Sequence, residues 1–205
     1  MTIRLYYAPG ACSLSPHIAL REAGVPFELE QVVFPDKKTK SGIDYSTVTE
    51  KGYVPALGLE NGQVLTEGAI IVQYVADLRP ETKLAPPQGT LERLRLQEWL
   101  HFIATELHKG FGPVNNPKSN DELKKVFRDR LTSRFRYLGK ALASGTGYLL
   151  GDRFTVADGY AYYTLRSWKK LAGDDFGDIQ PLRAYFERIG QRESVRAALA
   201  AEGIA

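Results

Sequence analysis

Short apolar runs alternate with segments of helical spacing in the first part of the chain. Runs typical of strands cover residues 3–8, 27–34, 56–60 and 64–66, and helical spacing covers residues 13–23 and 69–78. A polar, irregular stretch covers residues 35–52. The dipeptide Asn61-Gly62 favours a hairpin between the last two runs, because both residues tolerate a positive φ. This order predicts a small mixed sheet that carries helices.

The pattern changes after residues 80–89, which contain three prolines and no periodicity, as connectors do. Helical spacing then covers residues 90–111, 121–144, 156–171, 181–191 and 194–202. Thr155 and Asp158 have the spacing of a capping box at one of these helix starts. The chain is therefore expected to have an α/β domain over residues 1–79, a linker over 80–89 and an all-helical domain over 90–205.

Composition narrows the function classes. The 205 residues are 43% hydrophobic and 25% charged, as in a soluble globular protein. The net charge of +3 comes from 27 basic and 24 acidic residues that are scattered along the chain, so we expect no nucleic-acid partner. No apolar run approaches the ~20 residues that cross a bilayer, and no secretory signal begins the chain. The single cysteine cannot form an internal disulfide, so we expect a protein of a reducing, cytoplasmic compartment.

That cysteine, Cys12, lies where a strand pattern gives way to a helical one. The first N–H groups of a helix have no intrahelical partners, and the helix dipole adds positive charge, so a thiolate is stabilised there. The alternative is an inert, buried thiol, because free cysteine is among the most buried residue types. The turn alone leaves both interpretations open.

Two further segments are candidates for ligand binding. Pro55 precedes a predicted strand and cannot donate to a ladder, so it belongs at a strand start. A cis bond there would leave the Val54 backbone facing outward, ready to pair with a peptide-like ligand, although an ordinary proline turn is the commoner explanation of Pro55 alone. Glu67 lies at the start of the next helix, where it either pairs with an ammonium group or only balances the helix dipole.

Four segments occur in the order YYAPGACSLSPHIALREAG, KGYVPALGLENGQVLTEGAIIVQYVADL, LQEWLHFIATELHKGF and LLGDRFTVADGYAYYTL. Together they resemble the cytosolic glutathione transferases, and specifically the bacterial beta class, over essentially the whole chain. The resemblance implies an α/β thioredoxin-like N-terminal domain that binds glutathione. It also implies an all-α C-terminal helical bundle with a second-substrate pocket and dimer contacts, in a two-fold homodimer.

The resemblance also implies roles for individual residues. It places Cys12 beside the glutathione sulfur, with which it can form a mixed disulfide, and it places His108 facing the same thiol site. The residues that it assigns to glutathione binding are Ala11, Phe34, Lys37, Tyr53, Val54, Pro55, Glu67, Gly68, His101 and Lys109. His101 replaces a common asparagine and Tyr53 a common glutamine, so the contacts of these two side chains are expected to differ.

Helical geometry tests part of this assignment. Leu96, Leu100, Ile103 and Leu107 form one apolar stripe. At about 100° per residue, positions 101 and 108 differ by about 20° and avoid that stripe. A solvated or locally bonded histidine is the alternative at each position. Two histidines without further ligands do not indicate zinc, so no metal is expected.

The resemblance implies an enzyme that conjugates glutathione, as co-substrate, to small hydrophobic electrophiles in detoxification. Ser15 follows Cys12 in a Cys-x-x-Ser arrangement, which predicts glutathione-dependent thiol–disulfide transfer without a resolving thiol. Two alternatives stay open: a non-catalytic dimer that binds glutathione or hydrophobic ligands, and a dedicated dehalogenase or isomerase of aromatic catabolism. Residues expected near the second-substrate pocket are Phe111, Pro113, Val114, Tyr162, Leu165, Arg166 and Trp168, although core packing is the commoner role of such residues.

Overall fold

The computed structural model describes residues 2–205, which form two compact units. The first unit contains the chain up to Ala85 together with residues 191–205, and the second contains residues 86–190. The division after Ala85 falls within the linker expected over residues 80–89. Residues 191–205, expected in the helical domain, instead belong to the first unit, because the C-terminal helix packs against the first helix of the chain. Among the described residues, no helix is long and apolar enough to cross a membrane.

The first unit is built on a five-stranded mixed sheet in the order β3-β2-β1-β4-β5. The strands are β1 (Ile3–Tyr7), β2 (Phe27–Val33), β3 (Lys38–Thr39), β4 (Ala56–Gly58) and β5 (Val64–Thr66). Strand β1 pairs in parallel with β2 and antiparallel with β4. In the predicted hairpin, Leu57 of β4 lies opposite Leu65 of β5, and Gly62 in the turn has φ +82°. The predicted mixed sheet and hairpin are confirmed.

Three helices complete the first unit: α1 (Leu14–Glu22), α2 (Gly68–Leu78) and, after the second unit, α8 (Glu193–Ala201). Helix α1 packs against both α2 and α8. Apolar side chains at helical spacing, such as Leu14 and Ile18 of α1, are fully buried. The stretch predicted to be irregular, residues 35–52, contains β3 and a short 3₁₀ turn, Tyr45–Thr47, that Asp44 caps by accepting a hydrogen bond from the Ser46 N–H.

The second unit is helical, as its periodicity predicts. Its α-helices are α3 (Leu91–Phe102), α4 (Phe111–Asn115), α5 (Asp121–Ala143), α6 (Val156–Ala172) and α7 (Gln180–Gly190). A π-helix, Ile103–His108, interrupts the continuous helix that was predicted over residues 90–111. Leu96, Leu100, Ile103 and Leu107 are fully buried, so the predicted apolar stripe is confirmed.

The predicted capping box fixes the start of α6. Asp158 accepts hydrogen bonds from the backbone N–H and the hydroxyl of Thr155, both at 2.8 Å. The same carboxylate accepts from the Leu149 N–H at 2.9 Å and from the Tyr185 hydroxyl at 2.6 Å. Burial raises the pKa of Asp158, and the four donors oppose that shift. One carboxylate therefore joins the loop before α6 to helices α6 and α7.

Candidate functional site

Cys12 lies in the turn between β1 and α1, as its sequence context predicts. The turn is closed by hydrogen bonds from the Ala11 N–H to the Ala8 carbonyl and from the Leu14 N–H to the Ala11 carbonyl, each 3.0 Å. The Cys12 side chain is half-buried, and its Sγ lies 3.2 Å from the Val54 carbonyl oxygen. The side chain is thus neither enclosed in the core nor fully solvated. Its position combines the start of a helix with partial access to solvent, which is where reactive thiols occur.

The thiol turn is anchored by the C-terminal segment of the chain. The Gly10 N–H donates to Glu202 Oε2 at 2.9 Å, and Glu202 Oε1 lies 2.8 Å from His17 Nδ1. Because His17 Nε2 accepts from the Arg21 Nε–H, the ring proton lies on Nδ1 and is donated to Glu202. The side chains of His17 and Glu202 are both 0% exposed. Sequence reasoning missed this anchor, since nothing local joins residues 192 positions apart.

Glu202→Gln should lower the free energy of unfolding by about 2 kcal/mol, because a neutral amide replaces a buried carboxylate that bonds both Gly10 and His17. Urea unfolding of the full chain measures this change. Glu193→Gln is a matched control on the same helix, since Glu193 is exposed, and it should change stability by less than about 0.5 kcal/mol. Equal effects of the two substitutions would contradict an anchoring role for Glu202.

The segment before β4 lies beside the thiol turn. The Val54–Pro55 peptide bond is cis, as is Phe34–Pro35, and Val54 and Pro55 are buried. The Tyr45 hydroxyl donates to the Tyr53 carbonyl at 3.0 Å, which holds this segment against the core. The sequence predicts that the Val54 backbone faces outward with free hydrogen-bonding groups. In the structure, the Val54 carbonyl contacts the Cys12 sulfur. The structure thereby brings Cys12 and Val54 together.

Glu67 and Gly68 begin helix α2, as predicted, and Glu67 has φ +68°, which is uncommon for a residue with a side chain. Glu67 Oε1 accepts hydrogen bonds from the Lys51 ammonium and from the Tyr53 hydroxyl, both at 2.8 Å. The hydrogen bond to Glu67 raises the pKa of Tyr53 and that of Lys51. The structure therefore brings Tyr53 and Glu67 together, and it adds Lys51, which sequence reasoning missed although it stands two residues before Tyr53.

The remaining predicted residues of this unit are solvent-facing. Lys37, with φ +51°, extends its ammonium beside Gly52, where a Cβ would lie only 3.0 Å from Nζ. Phe34 follows β2 and is 44% exposed. Between residues 2 and 205, no hydrogen bond or ring contact is seen from Phe34 to another predicted site residue. Lys37 is thus near the Tyr53 segment, whereas Phe34 is not tied to it.

The other predicted residues, His101, His108 and Lys109, belong to the second unit. His108 Nδ1 lies 2.9 Å from the Tyr160 hydroxyl of α6, and the His108 ring packs edge-on against Tyr163 with centroids 5.1 Å apart. When the Tyr160 hydroxyl donates to Nδ1, the ring proton of His108 lies on Nε2. Tyr160 is therefore a hydrogen-bond partner of His108 on α6. No local pattern links positions 52 apart, which is why the sequence did not indicate it.

His101 and His108 both lie off the buried apolar stripe, as predicted, but their environments differ. His101 is exposed and donates through Nδ1 to the Gln97 carbonyl at 2.8 Å, whereas His108 is half-buried. The π-helix between them turns by less than 100° per residue, because its hydrogen bonds span five residues rather than four. Lys109 ends this helix and is exposed. His101 thus has a local hydrogen bond through Nδ1.

Most residues expected near a second-substrate pocket lie in the core of the helical unit. The buried ones are Phe111, Val114, Tyr162, Leu165 and Trp168. Trp168 stacks on Phe135 at a centroid distance of 4.6 Å, which is core packing. Pro113 and Arg166 are half-buried. No group of three or more His, Cys, Asp or Glu side chains within residues 2–205 is arranged to hold a metal ion.

Comparison with known proteins agrees with this geometry. Residues 10–78 match the family described as glutathione S-transferase, N-terminal domain, and residues 105–202 match the corresponding C-terminal domain. Glutathione S-transferase GstA of Escherichia coli O157:H7 is 41% identical over 98% of this chain and 100% of its own length.

Solved structures show the same relationship. A sphingomonad glutathione S-transferase complexed with glutathione is 44% identical, with a TM-score of 0.92 over 98% of this chain and 100% of that one. The bacterial beta class glutathione S-transferase of Sphingomonas chungbukensis is 42% identical, with a TM-score of 0.93 over the same shares. The thioredoxin-like fold with a helical second domain is thereby confirmed. The chain belongs to the glutathione S-transferase family of enzymes, and its similarity to bacterial beta class members confirms the resemblance found in its sequence.

Proposed function

We propose that this enzyme conjugates reduced glutathione to small hydrophobic electrophiles and also transfers glutathione between thiols and disulfides through Cys12. The observation that carries the proposal is the half-buried Cys12 sulfur at the start of α1, 3.2 Å from the Val54 carbonyl. Val54 lies in the segment that the resemblance assigns to the cysteinyl part of glutathione. A thiol in that place is adjacent to the sulfur of a tripeptide paired with Val54.

The same unit offers complementary charges for the two ends of glutathione. Glu67 presents a carboxylate at the start of α2 for the γ-glutamyl ammonium, and the Gly68 backbone begins the helix beside it. Lys37 presents an exposed ammonium beside Gly52 for the glycine carboxylate. These groups, together with Val54, support binding of an extended tripeptide, with glutathione as the co-substrate. A relative solved in complex with glutathione adds to that support.

The proposed thiol–disulfide transfer proceeds in two balanced steps. The Cys12 thiolate attacks the glutathione sulfur of a mixed disulfide, the original S–S bond breaks, and the departing thiolate takes a proton from solvent. A glutathione thiolate then attacks the Cys12-bound glutathione sulfur, which releases oxidised glutathione and restores the Cys12 thiolate. The sum converts one mixed disulfide and one glutathione into one thiol and oxidised glutathione. Ser15 in the Cys-x-x-Ser arrangement cannot act as a resolving thiol, and its buried hydroxyl has no hydrogen-bond partner among residues 2–205.

We propose that the Nε2–H group of His108 polarises the reacting thiol. Its hydrogen bond with Tyr160 holds Nδ1 as the acceptor, so Nε2 is left as the donor. Removing His108 should therefore flatten the pH–rate profile near neutrality. A local structural histidine would lower stability without changing that profile.

Tyr160→Phe should shift the inflection of the pH–rate profile for conjugation and lower kcat/KM by about threefold to tenfold, because His108 loses the donor that fixes its tautomer. The rate of conjugation measured between pH 5.5 and 8.5 tests this result. Tyr137→Phe is the matched control, since Tyr137 is 56% exposed, and its profile should match that of the unchanged enzyme. A Tyr160→Phe profile with an unshifted inflection would remove Tyr160 from the mechanism.

We also propose a cytoplasmic homodimer. Each unit carries exposed large apolar residues: Val64, Ile70 and Leu78 in the first, and Leu91, Leu94, Val126 and Tyr137 in the second. Exposed apolar surface of this kind is typical of association sites. The single cysteine, unable to form an internal disulfide, supports a reducing compartment. Analytical ultracentrifugation at micromolar concentration tests the dimer.

The decisive experiment measures turnover of the unchanged enzyme with glutathione. Substrates are 1-chloro-2,4-dinitrobenzene, a panel of hydrophobic electrophiles, chlorinated aromatic acids and a glutathione mixed disulfide. Broad conjugation together with disulfide reduction supports the proposal. Tight glutathione binding without turnover would instead support the non-catalytic carrier. High activity on a single chlorinated or unsaturated aromatic acid would support the dedicated catabolic enzyme.

A further inference from the structure

An ion pair with two donors on one oxygen stands at the start of α2. Lys51 Nζ and the Tyr53 hydroxyl each lie 2.8 Å from Oε1 of Glu67. The Lys51 ammonium also lies 6.0 Å above the centre of the Tyr53 ring, within range of a cation–π contact. The side chains of Lys51 and Glu67 are 45% and 52% exposed, so both charges are accessible to a ligand.

This arrangement has more partners than an ordinary surface ion pair. An isolated exposed pair contributes little to stability, and it does not by itself fix the geometry of either side chain. Here two donors converge on one carboxylate oxygen, and the backbone of Glu67, at the N-cap of α2, has φ +68°. Uncommon backbone conformations of this kind cluster at ligand-binding positions.

The pair has the chemistry that complements an amino-acid zwitterion. The γ-glutamyl group carries an ammonium and a carboxylate on one carbon. Glu67 and Lys51 likewise place a carboxylate and an ammonium 2.8 Å apart. When the ligand ammonium takes the Glu67 carboxylate, the Lys51 ammonium becomes a partner for the ligand carboxylate. Each charged group of the ligand then lies beside a protein group of opposite charge. Two protein groups of the same charge would repel one of the two ligand groups.

We infer that Lys51 binds the α-carboxylate of the γ-glutamyl group and is a specificity-determining residue, while Tyr53 is a positioning residue that holds Glu67 for the α-ammonium. The inference rests on the proposed function, because it presumes that glutathione is the ligand. The two side chains are therefore expected to affect the binding of different ligands. Lys51 matters only for ligands that carry the α-carboxylate, and Tyr53 matters only for ligands that carry the α-ammonium.

The test is isothermal titration calorimetry of the full chain with three S-methylated tripeptides, which cannot react with Cys12. They are S-methylglutathione, its 4-aminobutanoyl analogue, which lacks the α-carboxylate, and its glutaryl analogue, which lacks the α-ammonium. Lys51→Met should weaken S-methylglutathione and the glutaryl analogue about fivefold and leave the 4-aminobutanoyl analogue within about twofold. Tyr53→Phe should weaken S-methylglutathione and the 4-aminobutanoyl analogue about threefold and spare the glutaryl analogue.

The three ligands differ in net charge, so the loss of any nearby lysine charge changes their affinities to different extents. Lys40→Met is the matched control for this long-range effect. Lys40 is exposed in the same unit and undergoes the same change of charge. It should leave all three affinities within about twofold. A Lys51→Met variant that weakens all three ligands equally, or a Lys40→Met variant with the same ligand pattern, would overturn the inference alone. Failure of the unchanged protein to bind S-methylglutathione would overturn it together with the proposed function.

Discussion

Cys12→Ala is expected to lower the rate of glutathione transfer from a mixed disulfide at least about 100-fold, because no other thiol in the chain can form the covalent intermediate. The affinity for S-methylglutathione should stay within about twofold, since the proposed binding contacts belong to Val54, Glu67 and Lys37. Intact mass after exposure to oxidised glutathione gives an independent readout. A single adduct that a reductant removes should form on the unchanged protein and be absent from Cys12→Ala.

The hydroxyls of Ser13 and Tyr7 lie near Cys12 in the sequence and are the alternative groups for activating the glutathione thiol. The structure argues against each of them. The Ser13 hydroxyl is fully buried and hydrogen-bonded to both backbone groups of Ala8. Burial raises the pKa of Tyr7, so its hydroxyl ionises less readily than that of a free tyrosine. Ser13→Ala therefore serves as the control and should retain mixed-disulfide transfer. If Cys12→Ala keeps that activity, the covalent role of the thiol is wrong.

Local signals account for the features that the sequence predicted correctly. The Asn61-Gly62 turn depends on residues that tolerate positive φ, and Gly62 has φ +82°. The capping box at Thr155 and Asp158 depends on a spacing of three residues, and the hydrogen bonds are formed. The placement of Cys12 and Glu67 at helix starts follows from changes in apolar period at those positions. Each of these signals lies within a few residues of the feature that it predicts.

The features that could not be predicted depend on contacts between distant parts of the chain or on a choice between similar local structures. Glu202 reaches Gly10 only because α8 folds back on α1, and the helical period of α8 does not encode its partner. The π-helix before His108 occurs where an α-helix fits the sequence pattern equally well. The Tyr53 contact with Glu67 likewise depends on how the chain turns between β4 and α2. The positions of the candidate residues in the fold were thus easier to predict than their hydrogen-bond partners.

Asp158→Ala is expected to lower the free energy of unfolding by about 3–5 kcal/mol, because it removes the acceptor for four donors in the buried interior of the helical unit. The N–H groups of Thr155 and Leu149 would be left without this acceptor, and the Tyr185 hydroxyl would lose the partner that lies 2.6 Å away. Urea unfolding and a decrease in Tm of about 10 °C are the measurements.

Two comparisons separate the network from its individual hydrogen bonds. Tyr185→Phe removes one donor and should cost only about 1–2 kcal/mol, because the other three donors keep Asp158 in place. Asp152→Ala removes an exposed acid of the preceding loop and should change stability by less than about 0.5 kcal/mol. If Asp158→Ala costs no more than Asp152→Ala, the carboxylate does not hold the loop and helices α6 and α7 together. If it costs no more than Tyr185→Phe, a single hydrogen bond accounts for its contribution, and the capping box is dispensable.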